Sequence, residues 1–314
     1  MTKAPQTGRP VVAVLMGGRS AEREVSLNTG AQVARALQET GHVILEIDAG
    51  DPDFIDSLRS SGAGVVFICL HGRLGEDGTV QGLLELLGMP YVGSGVLASA
   101  LAMDKVMSKH VYAYSGIPTP PYVVLRRGRP YDEAAITADL GTKTVVKPAN
   151  EGSAIGVTIA HTPGELPAAI GEAFVHDDVV LVEEFIAGVE VTVGVLGNDD
   201  PFALPTLEIV PEHEFYDYES KYVPGMSNHI IPARVSRELR DECQRISLEA
   251  HEVLGCRGMS RSDTIVTEDG TVHLLETNTI PGMTATSLLP DAARAAGIEF
   301  PELCRMLVDF ALET

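Results

Sequence analysis

The feature that most constrains this chain is an apolar strand that runs straight into two glycines. VVAVLM (11–16) is short and continuous, Gly17 and Gly18 follow it, and residues 22–39 then carry a helical pattern ending near Gly41. An apolar run of that length bounded by glycine reads as a buried strand, and a glycine pair at its carboxyl end as a ligand-facing turn. VILEID (43–48), GVVFICL (64–70), a helix over 80–88 and a short strand at YVGS continue the alternation. That rhythm implies a parallel sheet covered by helices. The turn lacks the GxGxxG pattern, so it carries no dinucleotide signature.

Beyond residue 93 the pattern changes. Residues 94–115 read as one long helix closed by Gly116 and Pro118, with a domain boundary near 102–118. Strand-like runs follow at 144–148, 156–160, 179–186 and 189–197, with one intervening helix at 163–174, which suggests a small α+β domain. Residues 206–228 are polar, tyrosine-rich and irregular, the pattern of a functional loop or lid. A helix at 236–254, strands at 263–267 and 271–276, and helices near 285–296 and 301–312 complete the chain.

Composition removes several classes of function. A chain of 314 residues with 23 basic and 44 acidic side chains has a formal charge of −21. Such a body repels phosphate backbones, although a few local lysines can still hold a small anion. No run of about 18 apolar residues exists to span a membrane. Cys69, Cys243, Cys256 and Cys304 form no CxxC pair, which fits free thiols in a reducing compartment better than a zinc site.

The residues able to do chemistry fall at the edges of these elements. Asp263 opens SDTIV, and Glu276 and Asn278 close HLLETN after a turn at EDG. A hairpin sets Asp263 roughly opposite Glu276, and Glu276 and Asn278, two apart, share a face. Three oxygen donors on one face suit Mg²⁺, which takes one or two carboxylates plus substrate phosphates; a solvated sheet face is the alternative. Arg261 shares that face, and the TIPGMT turn offers amides to an oxyanion. Lys147 ends an apolar strand before the turn of Gly152 and Ser153, which makes a phosphate clamp or an ordinary surface turn. Lys105, flanked by apolar residues, is a pocket lysine or a solvated one. In EEFIAGVE, backbone at 184–186 can meet an adenine and Glu190 ribose hydroxyls, or the segment is an exposed hairpin. His71 stands in the loop HGRLGEDG at a strand's carboxyl end, and Glu22, beside Gly17 and Gly18, is a helix cap or a ligand.

Taken in order, GGRSAEREVS, HGRLGEDGTVQGLLELLGMPYVGSG, AMDK, VVKPANEGSAIGV, EEFIAGVEVTVGVLG, FYDYESKY, RSD and ETNTIPGMTATSL resemble the D-alanine–D-alanine ligases of the ATP-grasp group, over residues 11–312. The resemblance implies a chain of mixed α/β and α+β class. A parallel α/β domain over 1–102 would precede two α+β domains that sandwich ATP, 103–190 and 191–314, the last with the lid loop. It implies ATP-dependent joining of two D-alanines through an acyl phosphate, with release of ADP and phosphate, for peptidoglycan synthesis. It also implies a cytoplasmic homodimer, and the charge and hydropathy pattern above argue against nucleic-acid and membrane partners. Two Mg²⁺ or Mn²⁺ ions accompany ATP, and a monovalent cation is a further candidate.

Carried over by position, Glu22 resembles the carboxylate that holds the first D-alanine's ammonium, helped by Ser153 and Tyr222, with His71 near its reacting carboxylate. Lys105, Lys147 and Lys221 resemble phosphate lysines. Glu183, Phe185, Ile186 and Glu190 match the adenine and ribose region. Arg261 and the Gly282 amide match the oxyanion stabilisers, and Asp263, Glu276 and Asn278 the metal ligands. Ser287 and Leu288, at a helix start, match the second substrate's carboxylate site. Ser262 departs from the pattern, since an apolar residue is common there, which puts local packing in question. Tyr222 stands where depsipeptide-forming relatives carry a histidine. A D-alanine–D-lactate ligase, another ligase of the same fold and a non-catalytic nucleotide-binding regulator are the competing readings.

Overall fold

The computed structural model describes residues 8–20, 22–211 and 227–313. These residues form three sheets. In the first, β1 (Val11–Met16) lies between β2 (Val43–Asp48) and β3 (Val65–Ile68), and β4 (Tyr91–Val92) closes the order β2-β1-β3-β4, all parallel. Helices α1 (Arg23–Glu39), α2 (Phe54–Ser60) and α3 (Thr79–Leu87) cross between these strands. The pleat sorts β1 onto two cores: Val12 and Val14 pack with Val33 and Leu37 of α1, whereas Ala13 and Leu15 face Leu58 and Leu84. The expected turn follows β1. Gly17 has φ +76°, and a Cβ there would fall 2.2 Å from Asp48 Oδ1. Asp48 accepts hydrogen bonds from the Gly18 and Gly50 amides and pairs bidentately with Arg23 at 2.8 and 2.5 Å, which holds its carboxyl well below the usual range.

The second sheet is antiparallel, with order β5-β8-β6-β7 from β5 (Tyr122–Arg126), β6 (Thr144–Pro148), β7 (Thr158–Ala160) and β8 (Val179–Glu184). Two helices pack on one face, α6 (Glu133–Leu140) and α7 (Leu166–His176), where the sequence pattern suggested a single one. The extra helix spans only eight residues and shows little amphipathic pattern; Asp132 starts it by accepting from the Ala134 and Ala135 amides. Val146, Val180 and Val182 meet these helices, which leaves the alternate residues Lys147, Leu181 and Glu183 on the other face.

The third sheet runs β12-β11-β9-β13-β14, with β10 beside β9. Its strands are β9 (Val189–Gly197), β10 (Phe202–Ala203), β11 (Leu207–Pro211), β12 (Ser227–Ile230), β13 (Gly258–Val266) and β14 (Val272–Asn278). β11 and β12 pair at the two ends of the segment expected to be irregular throughout, so that expectation is corrected at its margins. Residues 212–226, which include Lys221, Tyr222 and the body of the expected lid, lie outside the described residues. Helix α8 (Arg237–Val253) packs beneath this sheet. Helices α9 (Leu288–Ala295) and α10 (Phe300–Ala311) return to the first: Leu303, Leu307 and Val308 share one core with Val12, Val33 and Val65.

The long helix expected over 94–115 is two helices, α4 (Val96–Met103) and α5 (Lys105–Tyr114). Asp104 breaks it. Its backbone is extended (ψ 101°), and its side chain accepts from the Val106 and Met107 amides, capping α5. Aspartate competes with the helix for its own backbone donors, so it favours a cap over a helix interior. The break makes Lys105 the first residue of α5. All four cysteines are free and buried. Among the described residues no helix is long and apolar enough to cross a membrane.

Removing the cap should be measurable. Asp104→Ala is expected to lower the free energy of unfolding by about 1 kcal/mol, read as a lower urea midpoint with an unchanged slope.

Candidate active site

A cavity of about 650 Å³ lies where the three sheets meet. The first sheet contributes the ends of its loops. Glu22 sits at the N-cap position of α1 but caps nothing. Its side chain is buried and accepts a hydrogen bond from the Ser153 hydroxyl, which joins the first sheet to the turn after β6. Ser153 and Ala154 both have positive φ, 51° and 60°, a conformation rare for residues with a Cβ and common at ligand-binding turns. Gly72 has φ +68°, and a Cβ there would come within 2.5 Å of Glu22 Oε2, so only glycine lets the carboxylate lie where it does. His71 is buried; Nδ1 lies 3.2 Å from Glu76 and Nε2 3.4 Å from Thr29. Burial raises the Glu76 carboxyl, against the pull of His71.

The second sheet supplies cations. Lys147 reaches Glu183 Oε2 at 2.8 Å, and both line the cavity. Lys105, from the first turn of α5, donates to the Glu151 carbonyl at 2.7 Å and lies 3.6 Å from Glu276. Phe185, Ile186 and Glu190, from the connection between β8 and β9 and the start of β9, also line the wall. Glu183 is 2% exposed and committed to two lysines, the second being Lys109 at 2.9 Å. Burial pushes this carboxyl up, but two cations outweigh burial and leave it below the usual range. Burial and the neighbouring Lys147 instead pull the Lys109 ammonium down to about 8, since two cations share one anion.

The third sheet supplies the oxygens. Asp263 pairs directly with Glu276 on β14 and with Thr192 on β9, so the hairpin register matches the expectation. The register shifts just beyond Asp263, leaving Leu275 without a partner. That bulge turns Leu274 to the core while Glu276, two residues on, faces the cavity with Asn278. Asp263 accepts from Arg261 at 2.9 and 2.8 Å and from Thr192 at 2.5 Å. A carboxylate offers about four acceptor sites, so one remains, on Oδ2. That oxygen, the Glu276 carboxylate and the Asn278 carbonyl form a hard-oxygen donor set, and it fits a magnesium or manganese ion that keeps its waters and takes phosphate oxygens. The packing question at Ser262 has a direct answer: its hydroxyl is buried and bonds the Thr277 hydroxyl at 2.9 Å.

At the far end of the cavity are Gly282 and the start of α9, Ser287 and Leu288. Ser287 has extended backbone, and its hydroxyl lies 2.7 Å from that of Thr284 rather than capping the Leu288 and Leu289 amides that open α9. One turn on, Asp291 pairs with His229 Nδ1 at 2.7 Å, and both line the wall. Lys109, Glu76, Thr192, His229 and Asp291 escaped the sequence reading. Only Lys109 left a local signal, as the lysine one helical turn after Lys105. The structure thus gathers around one cavity every described residue expected to bind substrate, nucleotide or metal, but not the Gly17–Gly18 turn, which packs against Asp48 and Arg23; Lys221 and Tyr222 lie outside the described residues.

The comparisons agree with this architecture. Residues 46–94 match the family model described as D-ala D-ala ligase N-terminus, and residues 111–309 the one described as D-ala D-ala ligase C-terminus. A D-alanine–D-alanine ligase of Pelotomaculum thermopropionicum is 48% identical over 308 residues, covering 96% of each chain. One of Syntrophotalea carbinolica is 52% identical over 297 residues, 95% of this chain and 94% of the relative. The crystal structure of a D-alanine–D-alanine ligase from Bacillus anthracis complexed with ATP superposes with a TM-score of 0.85 at 33% identity, covering 97% of this chain and 98% of that one. With the three-sheet fold, two family models end to end and relatives near half identity over almost the whole length, the chain belongs to the D-alanine–D-alanine ligase family of ATP-grasp enzymes.

Proposed function

We propose that this cavity joins two molecules of D-alanine at the cost of ATP, making D-alanyl-D-alanine for peptidoglycan. The observation that carries the reading is the sequence of groups along one cavity. A buried carboxylate stands at one end, lysines on one wall, paired carboxylates on the opposite wall and a helix start beyond them. The same reading divides the chain at 1–102, 103–190 and 191–314, the last boundary falling just inside β9, and carries over the family's cytoplasmic homodimer.

In this reading Glu22, oriented by Ser153 and aided by Tyr222, holds the first D-alanine's ammonium, and His71 borders its carboxylate. A carboxylate oxygen attacks the γ-phosphorus of ATP; the new P–O bond forms as the bond to ADP breaks, giving an acyl phosphate. Lys105, Lys147 and Lys221 hold and neutralise the phosphates, so the protein works by positioning and charge rather than by covalent catalysis. Asp263, Glu276 and Asn278 would hold the magnesium or manganese ions, which supply further neutralisation of the phosphoryl oxygens when bound. Phe185, Ile186 and Glu190 border adenine and ribose, with Glu183 acting through Lys147. The second D-alanine's carboxylate meets the Ser287 and Leu288 start of α9, and its amine attacks the acyl carbon. Arg261 and the Gly282 amide hold the tetrahedral oxyanion. The amine loses a proton, phosphate leaves, and the peptide bond remains.

Three outcomes test this. Glu276→Gln should cut D-alanine-dependent ADP release by about 100-fold or more with an unchanged thermal midpoint; near-normal turnover in magnesium would refute the metal assignment. Glu22→Gln should raise the KM for the first D-alanine by about 10- to 100-fold, as expected for loss of a charge-assisted bond, while ATP binding measured by calorimetry stays unchanged. With D-alanine and D-lactate present as equal acceptors at pH 6, the dipeptide should dominate. A histidine at the Tyr222 position would be cationic there and repel the acceptor ammonium, whereas tyrosine is neutral. Depsipeptide as the main product would overturn that assignment alone.

A further inference from the structure

Lys109 does not line the cavity, yet among the described residues it is the most buried cation near it. It lies on α5 one turn beyond Lys105 and is fully enclosed, at 0% exposure. Its ammonium meets Glu183 Oε1 at 2.9 Å and the Thr119 hydroxyl at 2.5 Å, and sits 5.3 Å from the Tyr122 ring centre. Glu183 Oε2 meets Lys147 at 2.8 Å. The three charges form a row from the back of the sheet to the cavity wall: Lys109, Glu183, Lys147. Tyr122 and Glu183 are cross-strand partners, and Glu183 and Lys147 share the same sheet face, so the row is fixed by β-pairing at one end and by α5 at the other.

Enclosing an ammonium is costly, and holding Lys147 in place would need only Glu183. A lone Lys147–Glu183 pair, however, is neutral. A carboxylate 2.8 Å away would cancel most of the charge that Lys147 offers to an anion. A second lysine on the other oxygen changes the sum: two cations and one anion leave a net charge of +1, with Lys147 and Glu183 at the cavity wall and Lys109 behind them. In a chain with a formal charge of −21 this local surplus has to be built rather than borrowed from the surface.

We propose that Lys109 is a positioning residue for the nucleotide: acting through Glu183, it orients Lys147 and keeps its charge available to a phosphate. This rests on the reading of Lys147 as a phosphate-binding lysine.

The test is a double-mutant cycle on the full chain, read by calorimetric titration with ADP and magnesium and by the steady-state parameters for ATP. Lys109→Gln makes the row neutral and should weaken ADP binding about tenfold or more and raise the KM for ATP, with kcat at saturating ATP within about threefold of the parent. Lys109→Arg keeps the charge and should bind ADP within about threefold of the parent. The decisive arm is Lys109→Gln with Glu183→Gln. It removes one cation and one anion, restores +1 at Lys147, and should bind ADP more tightly than Lys109→Gln alone. A residue that only fills space predicts the opposite, with the double variant weaker than either single one. Parent-like binding by Lys109→Gln, or a double variant weaker than Lys109→Gln, overturns the proposal. Lys147→Gln separates the two claims. If it weakens ADP binding while Lys109→Gln does not, only the role of Lys109 falls; if it binds like the parent, the phosphate role of Lys147 falls and takes this inference with it.

Discussion

The lysine wall of the cavity depends on one carboxylate, Glu183, taking a lysine on each oxygen. Buried ionic groups persist only when each charge is met and further hydrogen bonds complete them. Here that requirement links elements that are far apart in sequence. Glu183 must stand on the face of β8 that Val180 and Val182 do not use, Lys147 on the matching face of β6, and Lys109 on a helix laid across both. The helix can present Lys105 and Lys109 together because Asp104 ends α4 and starts α5. A continuous helix would have tied their direction to that of α4. A backbone decision by one aspartate therefore sets where two lysines point.

The opposite wall is built by a different rule. On the third sheet Thr192, Asp263 and Glu276 lie in one row across β9, β13 and β14, and Arg261 and Asn278 in the next. Sheet pairing fixes the spacing of these oxygens without help from packing, and the bulge at Leu275 lets a strand with apolar and acidic residues two apart serve core and cavity at once. The two walls thus differ in kind: cations on side chains anchored by ion pairs, oxygens on side chains anchored by the ladder.

Much of this was legible in the sequence, and the part that was not has a common cause. The Asp263–Glu276 hairpin could be read because a period of two and a short turn are local properties. The glycine turn after β1 could be read from a strand ending in two glycines, but not its use: the pair packs against Asp48 and Arg23 and does not line the cavity. Glu183 enters the site only through the family resemblance; its commitment to two lysines depends on α5 lying over the sheet, which no local pattern reveals. His229 and Asp291 meet only because β12 runs past the start of α9. The error over 94–115 has the same origin: ALAMDKVM has the periodicity of one helix, and a single aspartate choosing its own backbone amides outweighs that pattern. Hydrophobic periodicity reports the faces of elements and is blind to which polar groups those faces bring together.

The core that α10 shares with α1 bears on how such a chain acquires its structure as it is made. Leu303, Leu307 and Val308 fill space beside Val12, Val33 and Val65, so the first sheet is unfinished on one side until a helix from the far end of the sequence arrives. A unit that emerges first from the ribosome must then wait, with apolar surface uncovered, through synthesis of the two sheets that follow. The second sheet has no such debt, since α6 and α7 come from between its own strands. Order of synthesis and order of completion therefore run differently along this chain: the middle unit can close on itself while the outer two must close on each other.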